Sequence, residues 1–82
     1  MLHVSTEGPQ LIVDIRGVLP EEGCPGRQIS VLLEDVPPGT HCEIHVSEAK
    51  VLAVKAKLER MGHRVTMAEP EPGHYRLRML KM

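Results

Sequence analysis

Residues 40–69 read "THCEIHVSEAKVLAVKAKLERMGHRVTMAE", and the apolar spacing changes twice along them. Over 40–46 the period is two. Cys42, Ile44 and Val46 share one side, and His41, Glu43 and His45 share the other. That alternation predicts a strand with one buried and one open face. From Ser47 the spacing lengthens: Val51, Val54, Leu58 and Met61 recur at helical intervals. Ser47 suits an N-cap, Glu48 the first turn, Lys57 and Arg60 the last turn, and Gly62 the position after the end. Over 63–69 the period returns to two, with Val65 and Met67 expected to face inward. His63 reads as a capping or strand-start residue.

The same alternation extends outward. Residues 10–16, "QLIVDIR", read as a strand with Leu11, Val13 and Ile15 on one side and Ile12, Asp14 and Arg16 on the other. Pro25 suits the first turn of a helix carrying Ile29, Leu32, Leu33 and Val36 as its stripe. "PPG" at 37–39 ends that helix, and "PEPG" at 70–73 is turn chemistry. "HYRLRMLKM" closes as a strand with Tyr75, Leu77 and Met79 inward and Arg76 and Arg78 outward.

The expected order is therefore β-α-β-α-β-β, in the α+β class. Two helices pack on one face of a four-stranded mixed sheet, giving a two-layer sandwich. A doubly covered sheet needs near-continuous apolar strands, and these alternate. The open face is expected to carry Asp14, Arg16, His41, Glu43, His45, Arg64, Thr66, Arg76 and Arg78. The 82 residues make one domain, with 1–9 read as a loose N-terminal arm.

Composition narrows the function. Ten basic and eleven acidic residues leave a net charge of -1, which argues against strong electrostatic binding to nucleic acid or to an anionic membrane. Tyr75 is the only aromatic residue, so base-stacking platforms are missing. No stretch approaches the ~20 apolar residues of a membrane span, and no signal peptide is visible, so a cytoplasmic location is expected. Two cysteines do not make a disulfide framework. His41 and His45 stand roughly 13 Å apart along a strand, too far to share one ion, so no metal site is expected. No cofactor is implied.

Three segments resemble the TusA-like (SirA/YhhP/YedF) sulfur-carrier family. They are "LIVDIRG" at 11–17, "CP" at 24–25 opening the first helix, and "LERMGHRV" at 58–65. The resemblance spans nearly the whole chain in order and spacing. It implies a βαβαββ sandwich and a persulfide carrier, or sulfurtransferase, in which Cys24 bears the sulfur. It implies a donor such as a cysteine desulfurase or a rhodanese-like protein. It also implies an acceptor in tRNA thiolation, cofactor synthesis or sulfur metabolism. The chain departs from the family pattern at Gly26-Arg27, where a second proline is usual, and in the longer, acidic "VLPEEG" loop.

The chemistry reads consistently with this. Cys24 falls at a helix N-terminus, where the dipole and Arg27 favour a thiolate while Glu21 and Glu22 oppose it. Pro25, Gly26 and Arg27 support the thiol. Asp14, with Arg16 and Gly17, reads as a loop anchor. Cys42, on an apolar strand face, reads as a small core residue. Arg16, Arg64, Arg76 and Arg78 form either a solvated face paired to Asp14 and Glu43, or a basic stripe whose Arg64, Arg76 and Arg78 make a docking surface for an acidic protein or for RNA. The chain is expected to be a monomer. The alternative function is a non-catalytic protein-interaction or regulatory module that kept the fold without sulfur transfer, and RNA contact is a weaker third reading.

Overall fold

A computed structural model describes residues 3–17 and 25–81. The described residues form five strands and two helices. In chain order these are β1 (His3–Glu7), β2 (Gln10–Asp14), α1 (Pro25–Glu34), β3 (His41–Ser47), α2 (Glu48–Arg60), β4 (Val65–Glu71) and β5 (His74–Leu80). The sheet order is β1-β2-β3-β5-β4. Only β2 and β3 run parallel; every other neighbouring pair is antiparallel. The fold is thus α+β with a five-stranded mixed sheet. The expected four strands are all present, and the segment expected to be a loose arm supplies a fifth.

β1 forms because Gly8 and Pro9 turn the chain back in two residues. Gly8 sits at φ 61, the backbone that the first position of a type II′ hairpin turn requires. Pairing then runs from Glu7↔Gln10 to His3↔Asp14.

The core takes one face of the sheet and one stripe of each helix. Leu11, Val13, Ile15, Cys42, Ile44, Val46, Leu77 and Met79 meet Ile29, Leu33, Val51, Val54 and Leu58. Leu32, Val36, Met61, Val65 and Tyr75 pack at its margin. Met67 departs from expectation. It is 46% exposed, whereas its register partner Leu77 is 0% exposed. Two helices about 10 Å apart cover only three or four strands spaced about 4.8 Å, and β4 lies at the sheet edge.

The ends of α2 show which local signals act. Ser47 is extended and closes β3, but its side chain makes no capping bond. The N–H of Glu48 instead donates to the carbonyl of Gly73 at 3.1 Å, tying α2 to the β4–β5 turn. At the other end Gly62, at φ 94, donates to Glu59 and His63 donates to Leu58, a complete Schellman closure.

Candidate functional site

Cys24 and the "VLPEEG" loop lie outside the described residues. α1 begins at Pro25, the residue after Cys24 in sequence. The first turn of α1 contains no acidic residue, and Arg27 within it is exposed. The free N–H groups of a helix start and this guanidinium make the turn electropositive.

At the C-terminal end of β2, Asp14 binds Arg16 three ways. Oδ1 accepts from the Arg16 backbone N–H at 3.0 Å and from Nε at 3.0 Å, and Oδ2 accepts from Nη2 at 2.7 Å. The side-chain bonds from Arg16 lower the Asp14 pKa to about 2, against a smaller opposing effect of burial. The carboxylate clasps the chain where it leaves the strand.

Register assembles the open face in rows. Glu7, Gln10, His41 and Leu80 stand side by side; next come Ser5, Ile12, Glu43, Arg78 and Thr66; then His3, Asp14, His45, Arg76 and Ala68. Glu43 is the hub. Its Oε2 meets His45 Nε2 at 3.0 Å, and its Oε1 meets Arg78 Nε at 3.3 Å and Arg76 Nε at 3.7 Å. Burial pushes the Glu43 carboxyl up, but the His45 and Arg78 hydrogen bonds and the neighbouring charges outweigh it and hold the pKa below its usual value. Arg76 Nε is buried and reaches no hydrogen-bond partner, so Glu43 compensates it through charge alone.

The three arginines grouped from sequence therefore separate. Arg76 is committed to the sheet. Arg78 is paired through Nε, yet its side chain remains 57% exposed. Arg64 is exposed and makes no ion pair among the described residues. Arg64 and Arg78 line an open groove of about 610 Å³ whose other lining residues include His41, Gln10, Thr66, Leu80 and one carboxylate, Glu7.

Cys42 is buried, and its Sγ lies 3.8 Å from the Thr40 carbonyl. Burial pushes its thiol up, which disfavours the nucleophilic thiolate. Among the described residues, no group of three His, Cys, Asp or Glu side chains gathers as a metal site.

One histidine contact has no local signal in the sequence, and His63 takes the capping place expected of it but is buried as well. His45 pairs not with His41 but with His74, Nδ1 to Nε2 at 2.7 Å. Nothing local signals this, because the two are 29 residues apart. His63 is 6% exposed, with Nδ1 unpartnered, and burial lowers its pKa, aided by Lys81. The Gly62-His63 step was the available signal, since the residue after a Schellman glycine packs back on the helix.

The chain matches no protein-family model, no curated protein and no solved structure. Among the described residues no helix is long and apolar enough to cross a membrane.

Proposed function

We propose that the protein is a sulfur carrier that holds a persulfide on Cys24. The observation that carries this reading is that α1 opens at Pro25, the residue after Cys24 in sequence, downstream of the Asp14-Ile15-Arg16-Gly17 segment that begins at the last residue of β2. An acid-free first turn with Arg27 exposed supports it, because such a turn favours a sulfur anion. Burial of Cys42 supports assigning the chemistry to the other cysteine.

In this reading the Cys24 thiolate attacks the terminal sulfur of a donor protein's persulfide. The donor S–S bond breaks, the donor cysteine leaves as a thiolate, and Cys24 carries the sulfane sulfur. An acceptor thiolate then displaces Cys24 in the same way. No external oxidant or reductant enters either transfer. Arg64 and Arg78 give an acidic partner a place to dock on the open face.

The test is incubation with a cysteine desulfurase and labelled cysteine, followed by non-reducing mass spectrometry. An adduct of about 32 Da, one sulfur atom, is expected on wild type and on Cys42→Ser but not on Cys24→Ser. No adduct on wild type overturns the reading. Binding of an acidic partner without any adduct selects the interaction module instead, which the unpaired Arg64 favours.

A further inference from the structure

The two edges of the sheet are unlike. β4 carries Pro70 and a register shift between Ala68 and Glu71, both of which spoil an edge for further pairing. β1 carries no proline, no lysine and no bulge, and all five of its residues are exposed. We propose that β1 pairs with β1 of a second copy of this chain, forming a two-fold dimer with a continuous ten-stranded sheet. This inference is independent of the sulfur chemistry and replaces the monomer expected from sequence.

The hairpin determines which backbone groups are free. A two-residue turn makes its closing pair, Glu7 and Gln10, hydrogen-bonded. Alternation then directs the N–H and C=O of His3, Ser5 and Glu7 to β2, and leaves those of Val4 and Thr6 on the free edge. An antiparallel copy with its two-fold axis at Ser5 sets Val4 against Thr6 of the partner subunit, and Thr6 against Val4 of the partner subunit. All four outward N–H and C=O pairs are then satisfied.

The side chains of "HVSTE" agree with that register. His3 falls opposite Glu7 of the partner subunit, and the two-fold repeats the contact. These are non-hydrogen-bonded positions, where side chains stand closest. Both lie on the open face. On the helix side, β-branched Val4 meets β-branched Thr6 of the partner subunit, a favourable cross-strand pair. A two-fold centred on Val4 or Thr6 loses both His3–Glu7 contacts. The interface is isologous and leaves only the blunted β4 edges free, so assembly closes at two. Five-residue strands bury less than the roughly 1,200 Å² of a stable complex, so the dimer depends on concentration.

Sedimentation velocity from micromolar to millimolar protein tests this. Wild type is expected to move from its 9.1 kDa monomer toward twice that mass. Val4→Pro removes an outward N–H without touching the β1–β2 ladder and is expected to stay monomeric. Glu7→Lys is expected to weaken dimerisation roughly two- to thirtyfold, from two lost cross-strand His3–Glu7 contacts. His3→Glu with Glu7→Lys is expected to restore it, since the double variant sets opposite charges against each other at the same two positions; Arg16 offsets the Asp14 charge beside residue 3. A wild type that stays monomeric throughout overturns the proposal. So does dimerisation of Val4→Pro equal to wild type, or a charge swap that fails to recover what Glu7→Lys loses.

Discussion

His45 Nδ1 and His74 Nε2 face each other at 2.7 Å across β3 and β5, while His45 Nε2 meets the Glu43 carboxylate at 3.0 Å. An ionised carboxylate only accepts, so His45 Nε2 carries the proton. Nδ1 of a neutral His45 then accepts, and His74 Nε2 must donate. Both rings are expected as Nε2–H tautomers at alkaline pH, read from long-range ¹⁵N–¹H correlation spectra. His74→Ala is expected to cost about 1 kcal/mol by leaving His45 Nδ1 unpaired, measured by urea unfolding. An Nδ1–H tautomer at His45 would break the chain of donors.

Asp14 gives a pH signature. Its folded pKa of about 2 lies below the usual 3.8, so its contribution to stability is present above the unfolded value and disappears as pH falls through the folded one. The pair is solvent-accessible, so the contribution is at most about 1 kcal/mol. Asp14→Asn is expected to lower the melting temperature at pH 7, and the gap from wild type is expected to narrow from about pH 4 and to close only below about pH 2. A gap at pH 2 as large as at pH 7 contradicts the assignment.

Met67 and Leu77 are register partners on the same face with opposite surroundings. Leu77→Ala opens a cavity beneath the helices and is expected to cost about 2–5 kcal/mol. Met67→Thr is expected to stay within about 0.5 kcal/mol of wild type. Chemical denaturation of the two variants checks both.

For the thiol, the proposed role of Arg27 predicts a kinetic effect. Arg27→Glu reverses the charge of an acid-free first turn. At neutral pH this is expected to slow alkylation of Cys24 by roughly two- to fivefold, the equivalent of about 0.3–1 kcal/mol at a helix terminus. Rates of iodoacetamide labelling in a Cys42→Ser background measure it. An unchanged rate removes Arg27 from the thiol's environment.

The central layers were legible because their residues alternate against a common core. β2, β3 and the buried stripes of α1 and α2 follow directly from Leu11, Val13, Cys42, Ile44, Ile29, Leu33, Val51 and Leu58. β1 was not, because an edge strand exposed along its whole length has no burial pattern to write into sequence. Its signal was Gly8-Pro9 immediately before a clear strand. Met67 looked inward because alternation gives the face but not how far the helices extend over it. The Asp14–Arg16 clasp was readable as neighbouring charges. The Glu43–His45–His74 chain was not, since strand register across 29 residues decides it.

β5 is the last of the described strands in sequence, yet it lies between β3 and β4 and joins β4 to the rest of the sheet. Without it, β2 and β3 are left with β3's far side unpaired, and β4 has no neighbour at all. β4 therefore holds its place in the sheet only through His74–Leu80, so a change that loosens β5 from β3 releases two strands rather than one.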